Sequence, residues 1–433
     1  MNIHELLSRF RSNDQPTQFA ARNELMNAAR SGSLEASDLL IVLDAINGPM
    51  PPSKYASDNP GSSLVWAVRD ASRTRPDRAP PIESIIETFR RSTPGTRANL
   101  IQLFTTRPTV ESARAYVDAI TGRLTGDYPF DLRDECFSIS VFASPQPGAA
   151  RAATPEVAAA LFPAALEATK WEPLRYPVYI MLLDFLKAGL IESSALNSSD
   201  EQFAAILRET MEKALALQEE NRPGHLNWKY DGPYADIRGL TCVLLDLAGQ
   251  WNSAPVIEAM CRMPPFTDPR PKMLHAFSRL CLGIHVDPDE LAQIAAESPR
   301  ECYSLRCLGE RTEWERFLPP ACFDQEKLAR GEMVDWLTFG TELNREPDEI
   351  ELIHVETRQS KKLIRPGPHI DHYFYKFRVT EEHWAKEEGW MVGMAGGYQR
   401  TPRGTTMHNG GTFSKFEPFE EKSIEEHVKE YLD

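Results

Sequence analysis

The sequence has no apolar run close to the ~20 residues that an α-helix needs to cross a bilayer. Its N-terminus, MNIHELLSRFRSNDQ, also lacks the apolar core of a secretory signal peptide. The seven cysteines are odd in number and include no CxxC pair, so buried thiols are expected instead of a disulfide framework or a zinc site. Together these absences predict a cytoplasmic protein without a membrane span.

Basic residues are also fewer than acidic residues. The chain has 48 Lys and Arg against 63 Asp and Glu, which gives a formal net charge of -15. Binding to a nucleic-acid backbone needs a surplus of Lys and Arg on some face, so a general nucleic-acid binder is disfavoured. A hydrophobic content of 42% and a charged content of 26% are ordinary for a globular protein, so the chain is expected to fold.

The motifs of common catalytic and nucleotide sites are missing as well. There is no P-loop ending in GK[ST], no GxGxxG, no GxSxG elbow and no HExxH helix. Gly393, Gly396 and Gly397 could admit a phosphate, but a bulge or close strand packing is the favoured interpretation. No catalytic or cofactor-binding residue is therefore predicted.

Histidines concentrate in the last quarter of the chain, and His369, Asp371 and His372 form the densest group of possible metal ligands. The two histidines are three residues apart at the entrance to a predicted strand, where that spacing does not bring both rings together. No metal site is predicted there.

The segment YADIRGLTCVLLDLAGQW, residues 234–251, predicts a helix that is apolar nearly all round. One side carries Leu240, Val243, Leu244, Leu247 and Trp251, and the opposite side carries Leu245 and Ala248. Residues 174–190 have the same character. Because such helices must be covered on several sides, we expect repeated helix pairs that pack in series.

The N-terminal region predicts an end cap. Ile3, Leu6, Leu7 and Phe10 form one narrow apolar stripe, and further helices follow at residues 19–30 and 36–46. From residue 80 onward, prolines introduce successive helices, where the missing N–H has no partner to lose. A helix that begins at Thr154 contains Pro163, so a kink is expected.

Six candidate second helices align weakly with one another: TRANLIQLF, LRDECFSISVF, LRYPVYIMLL, DIRGLTCVLL, PKMLHAFSRLCL and PRECYSLRCL. Most carry a basic residue near the start, followed by small and apolar residues. Over residues 80–309 the chain resembles HEAT and armadillo repeats. The resemblance implies an irregular α-solenoid over residues 1–330, with cap helices and a loop in residues 1–60.

After residue 330 the pattern changes to that of a small α/β domain, residues 331–433. In EIELIHVETR, Ile350 and Leu352 are expected on one face, and Ile353 with Val355 on the other. HYFYKFRV, GWMVGMAGGYQR and TFSKFE read as further strands, TEEHWAKEEG as a short helix and EKSIEEHVKEYLD as a closing helix. The fold class predicted is mainly α, ending in an antiparallel or mixed sheet.

Two regions are candidates for protein contacts. An insertion over residues 217–234 carries aromatic and charged side chains, which either meet a partner or fold down onto the repeats. A basic group follows the first predicted strand, where a solvated rim is the favoured interpretation. The candidate residues are His225, Trp228, Lys229, Tyr230, Tyr234, Arg358, Lys361, Lys362 and Arg365.

These patterns predict a non-catalytic binding or scaffold protein that presents helical repeats to a protein partner, without a cofactor. Two alternatives stay open. One is a C-terminal enzyme domain that depends on a metal or phosphate and uses the solenoid as a substrate platform. The other is a HEAT-like nucleic-acid-binding protein. The identity of any partner and the oligomeric state are not predicted.

Overall fold

A computed structural model describes residues 2–50, 60–131, 154–221, 228–230, 232–310, 312–339, 343, 345–361, 366–379, 389–400, 406–408 and 412–432. The chain divides into two compact units, Met1–Glu201 and Gln202–Asp433. The described part is mainly α and ends in a small antiparallel sheet, which confirms the predicted fold class. None of its helices combines the length and the apolar character that a bilayer crossing requires.

The first unit is built from α-helices, several of which are followed by a short 3-10 helix. Its helices are α1 Ile3–Phe10, α2 Gln15–Ser31, α3 Ala36–Ala45, α4 Pro60–Thr74, α5 Ile82–Arg91, α6 Pro94–Leu100, α7 Val110–Ile120, α8 Pro155–Leu161 and α9 Glu172–Lys187. The four predicted residues of the α1 stripe are buried. In α9, Leu174, Val178 and Phe185 are fully buried, as its apolar pattern predicts.

Short polar side chains start several of these helices. The Asp14 carboxylate accepts the Thr17 N–H at 3.1 Å, and the Thr154 hydroxyl accepts the Val157 N–H at 3.4 Å. The kink expected at Pro163 is wrong. Helix α8 ends at Leu161 and a 3-10 helix begins at Ala164, so the proline lies between two helices and interrupts neither.

The second unit continues with helices and then adds a sheet. Its helices are α10 Asp200–Asn221, which begins at the boundary, α11 Gly232–Gln250, α12 Ala254–Cys261, α13 Pro269–Cys281, α14 Pro288–Glu297, α15 Pro299–Gly309, α16 Gln325–Phe339 and α17 Ile424–Leu432. Helix α11 buries both of its sides, since Leu244, Leu247 and Trp251 are covered on one and Leu245 and Ala248 on the other. The prediction of a helix covered nearly all round is confirmed.

Helices of the second unit pack in sequence order: α11 against α13, α13 against α14, α14 against α15, and α15 against α16. Where α15 and α16 meet, a side chain at Gly331 would place its Cβ 2.1 Å from the Pro299 carbonyl oxygen. Only glycine permits this approach. The boundary predicted at residue 330 between the solenoid and the α/β domain falls inside α16, and this boundary stays a prediction.

His275 lies on the buried side of α13 and is 6% exposed. Its Nε2 is 3.0 Å from the Met260 carbonyl oxygen, so the neutral imidazole donates this hydrogen bond. Burial lowers the pKa of His275, and Arg279 lowers it further, while the bond to Met260 and the charge of Glu290 oppose these effects.

We expect the free energy of unfolding to fall as the pH drops below the ordinary histidine pKa of about 6.5. Below that pH the unfolded chain binds a proton that the buried ring of His275 resists, so acid favours unfolding. Urea unfolding between pH 5.5 and 7.5 measures this slope. His275→Gln keeps a donor for Met260 and should flatten it. If the free energy of unfolding of His275→Gln depended on pH as steeply as that of the unmodified chain, His275 would not be the source of the slope.

The sheet contains β1 Glu349–Lys361, β2 Pro366–Arg378, β3 Met391–Arg400, β4 Thr406–His408 and β5 Phe413–Pro418. All pairings are antiparallel, in the order β1-β2-β3-β4, with β5 also paired to β3. Helix α16 covers one face, where Tyr373, Tyr375 and Phe377 pack, as the alternation of HYFYKFRV predicts. Helix α17 covers the other face around Phe374 and Met394.

The prediction for Val355 is wrong. Ile350 and Leu352 pack on the α16 face and Ile353 on the α17 face, as expected. A bulge between Leu352 and His354 then shifts the register, so Val355 lies opposite Tyr373 on the α16 face. The helix predicted for TEEHWAKEEG lies outside the described residues, except for its last glycine.

The glycines of β3 behave as predicted. The register of β2 and β3 passes from the pair His372 and Gly397 to the pair Tyr373 and Ala395, which leaves Gly396 as a bulge. At Gly393 an added Cβ would lie 2.2 Å from Met333 Cε of α16. Close packing and a bulge therefore account for both positions.

Candidate functional site

A row of ion pairs links the helices of the second unit. Each of three arginines on these helices reaches an acid on a later helix or its N-cap. The pairs are Arg238 with Asp268 at 2.5 Å, Arg270 with Glu301 at 3.0 Å, and Arg300 with Asp335 at 2.9 Å. We call these three pairs the arginine ladder. They connect α11 to α13, α13 to α15, and α15 to α16.

Asp268, the N-cap of α13, is the most enclosed acid of the ladder and is 0% exposed. Its carboxylate accepts from the Tyr234 hydroxyl at 2.9 Å, the Arg238 guanidinium and the Arg270 N–H at 3.1 Å. Its own N–H donates to Gln218 Oε1. Burial alone would raise the pKa of Asp268, but the Arg238 guanidinium and these bonds hold it below its usual value.

The predicted insertion folds against this ladder. The Lys229 ammonium lies 2.9 Å from Glu346 Oε1, and the Tyr230 hydroxyl donates to the same oxygen at 2.9 Å. The Arg300 guanidinium in turn donates to the Tyr230 hydroxyl at 2.7 Å and stacks on the Phe339 ring at 4.3 Å. Burial raises the pKa of Tyr230, which keeps its hydroxyl protonated.

The predicted contact residues of the insertion are therefore mostly internal. Lys229 and Tyr234 are buried, and Trp228 packs against Tyr234 with ring centroids 5.1 Å apart. A loop folded down onto its own helices, one of the two interpretations open from the sequence, describes this arrangement. Trp228 and Tyr230 are half-buried, and any contact of theirs with a partner stays a prediction. His225 lies outside the described residues.

The basic group near β1 is only partly described. Arg358 is half-buried, where its Nε lies 3.3 Å from a Glu356 carboxylate oxygen and its Nη1 donates to the Leu432 carbonyl. Lys361 ends β1, but its side chain and residues Lys362 and Arg365 lie outside the described part. Whether this group meets a partner stays a prediction.

The histidine group of β2 does not converge. Asp371 shares the α16 face with Tyr373, where it accepts from Thr357 at 2.8 Å and from Gln325 at 3.2 Å. His372 is on the opposite face and His369 on the same face as Asp371, because side chains alternate along a strand. Within the described ranges, no three His, Cys, Asp or Glu side chains come together as metal ligands.

One surface segment with two exposed aromatic rings was not singled out from the sequence. Residues 312–323, which we call the aromatic segment, form two 3-10 turns, Glu313–Phe317 and Pro320–Phe323, that pack on α15. Leu318 is 7% exposed and Cys322 is 0% exposed, so these two side chains fix the segment from below. Phe317 and Phe323 nevertheless remain 42% and 37% exposed.

Two arginines lie over the exposed rings of the aromatic segment. The buried Arg306 of α15 lies over the Phe323 ring at 4.9 Å and donates to Glu315 at 2.7 Å, so it joins the two turns. The exposed Arg316 lies over the Phe317 ring at 4.7 Å. Trp314 packs beside Phe317 with centroids 6.2 Å apart. Trp, Phe and Arg together are typical of protein interfaces.

The sequence held one signal for this segment, the aromatic residues of TEWERFLPPACF between two helices. Such a run fits a buried connection equally well, because aromatic residues are usually covered. Which rings stay exposed depends on the neighbouring helices.

The chain matches no family model, no curated protein and no solved structure. The HEAT and armadillo resemblance therefore stays a prediction. The basic residue near the start of DIRGLTCVLL and of PRECYSLRCL, Arg238 and Arg300, is in each case a member of the arginine ladder.

Proposed function

We propose that this chain is a non-catalytic binding or scaffold protein whose protein partner docks on the aromatic segment. One observation carries the proposal: Phe317 and Phe323 stay exposed although the segment beneath them is anchored by Leu318 and Cys322. A helical-repeat architecture of the HEAT class and a cytoplasmic location are parts of the same proposal.

Anchored aromatic rings favour binding for two reasons. A Phe side chain has about 150–250 Å² of surface, and burial is worth roughly 25 cal/mol per Å² of apolar area. The part that a partner can still cover is the 42% of Phe317 and the 37% of Phe323 that remain exposed. Rings that are already fixed also lose little conformational entropy on binding, so more of this free energy is available for association. The stacking of Arg306 and Arg316 holds Phe323 and Phe317 in place before any partner arrives.

The chemistry of the surface indicates the character of the partner. An apolar pocket would receive Phe317, and a carboxylate at its rim could pair with the exposed Arg316 beside that ring. Arg306 does not offer the same contact, because it is buried and bonded to Glu315 and Glu310. The partner we expect is therefore a protein with an apolar cleft and an acidic edge.

A photo-crosslinking amino acid placed at Phe317 should capture this partner in the native host, and mass spectrometry would identify it. With the partner purified, Phe317→Ala should weaken the Kd by about 30-fold, since a central aromatic contact is worth about 2 kcal/mol. Isothermal titration calorimetry measures this change.

Phe19 provides the matched control, because it is an equally large ring that is 63% exposed on α2. Phe19→Ala should leave the Kd unchanged, and a crosslinker there should not capture the same protein. A partner that binds the Phe317→Ala variant as tightly as the unmodified chain would overturn the proposal.

A further inference from the structure

Two buried cysteines face each other beneath the aromatic segment. Cys302 of α15 and Cys322 of the second turn have their Sγ atoms 3.8 Å apart, and both residues are 0% exposed. Cys322 Sγ also lies 3.5 Å from the Cys302 carbonyl oxygen. The sequence pattern predicts buried thiols only, because these residues are far apart in the chain and form no CxxC pair.

We propose that Cys302 and Cys322 are a redox-modification site, which a hydroperoxide converts into a disulfide that ties the aromatic segment to α15. The two sulfur atoms already face each other in the reduced chain. A disulfide needs the sulfurs to approach to about 2.05 Å, and side chains that already point at each other need little backbone movement to do so. This inference goes beyond the proposed function and does not depend on it.

The chemistry balances as two steps. The Cys302 thiol first loses its proton and attacks one peroxide oxygen. The O–O bond breaks, and the leaving hydroxide takes up a proton to become water, which leaves a sulfenic acid on Cys302. The Cys322 sulfur then loses its proton, attacks the Cys302 sulfur and breaks the S–O bond, so a second hydroxide leaves as water. Two thiols are oxidised by two electrons, and one peroxide is reduced to two waters.

The surroundings favour Cys302 as the sulfur that reacts first. The hydrogen bond with Cys322 lowers the pKa of the Cys302 thiol, and the charge of Lys327 lowers it further, although burial opposes both. The same hydrogen bond, together with burial, raises the pKa of Cys322, which therefore keeps its proton until the second step.

Because Cys302 and Cys322 are both buried, the size of an oxidant limits its access to them, and the sulfenic acid that forms on Cys302 is buried too. Leu318 and the Arg306 contact to Glu315 hold the segment over both sulfurs, so a small peroxide has easier access than a bulky disulfide reagent. The Cys322 sulfur then reacts with the sulfenic acid of Cys302 before peroxide oxidises that group further. Exposed Cys307 of the same helix, whose side chain shares a hydrogen bond with Tyr303, serves as the comparison.

The test exposes the reduced full-length chain to hydrogen peroxide and then removes the peroxide. The chain is unfolded in denaturant with N-ethylmaleimide present, so that buried thiols are blocked too, and tryptic peptides are mapped without reduction. Cleavage after Lys and Arg separates Cys302 in ECYSLR, Cys322 in FLPPACFDQEK and Cys307 in CLGER. The expected product is ECYSLR joined to FLPPACFDQEK, with the loss of both thiols and recovery of both on adding dithiothreitol.

The variant Cys307→Ser should retain this linked product, and Cys322→Ser should lose it. Because Cys322→Ser could unfold the chain, the peptide map of the unmodified protein decides by itself. Recovery of Cys302 and Cys322 as blocked thiols would overturn the proposal. So would sulfinic or sulfonic acid on Cys302 without linkage, or a predominant disulfide to Cys307.

Discussion

Replacing Asp268 by alanine is expected to lower the free energy of unfolding by about 3–5 kcal/mol, the typical cost of leaving one partner of a buried ion pair uncompensated. Asp268 is 0% exposed and pairs with Arg238, whose side chain is 9% exposed. The substitution also removes the acceptor of the Tyr234 hydroxyl and the N-cap of α13. Urea unfolding followed by circular dichroism measures the change.

Asp287 gives a matched control because it is also an Asp-Pro N-cap, at the start of α14, but is exposed. Asp287→Ala should cost only about 1 kcal/mol, the usual value of a lost cap. If Asp268→Ala and Asp287→Ala lowered the free energy of unfolding equally, the arginine ladder would be contradicted, because Asp268 would then act only as a helix cap.

The contribution of Asp268 should also depend on pH. Its folded-state pKa is lowered, so its stabilisation is complete above the unfolded Asp pKa of about 3.9 and is lost as the pH falls through the lower folded value. The difference between the unmodified chain and Asp268→Asn should therefore shrink below about pH 4. If the stability difference between the unmodified chain and Asp268→Asn grew as the pH fell, the folded-state pKa of Asp268 would be raised and not lowered, and the prediction would be wrong.

Replacing Gly331 by alanine is expected to destabilise the second unit by about 2–3 kcal/mol, in the range of overpacked cores. An exposed glycine inside a helix normally gains about 0.5–1 kcal/mol from this change, so the sign is diagnostic. Here the new Cβ would lie 2.1 Å from the Pro299 carbonyl oxygen and 2.6 Å from Tyr303 Cβ, so α15 and α16 must separate.

Thermal unfolding of Gly331→Ala beside Gly389→Ala tests this contact, because among the described residues the atom nearest to an added Cβ at Gly389 lies 3.8 Å away. The Gly389 variant should unfold at nearly the temperature of the unmodified chain. If Gly331→Ala raised the unfolding temperature, the close approach of α15 and α16 would be wrong.

Local patterns in the sequence predicted much of the fold. The two-sided apolar pattern of α11, the prolines at helix starts and the alternation around Tyr373 and Tyr375 all correspond to observed elements. Each depends on periodicity or on the first turn of a helix, which only nearby residues determine.

Features set by distant residues were not predictable. The sequence does not show that Arg238 will meet Asp268, because such a pairing depends on how two helices cross. The bulge that turns Val355 to the α16 face is a property of the pairing with β2, and the alternation of β1 alone does not show it. Burial of Tyr234 in the insertion has the same origin.

The exposed rings of the aromatic segment were not predictable from the sequence for the same reason. Exposure of Phe317 and Phe323 is an outcome of how Leu318 and Cys322 seat the segment on α15. The sequence offered charged and aromatic residues near 228–234 and 358–365 instead, and the described members of those groups are mostly engaged within the chain.

Hydrogen–deuterium exchange on the complex with the crosslinked partner tests the central claim most directly, because it reports which backbone segments the partner covers. Protection from exchange should increase in residues 312–323 and stay unchanged around Phe19. Unchanged exchange in residues 312–323, with new protection elsewhere in the chain, would show that the aromatic segment is not the docking surface.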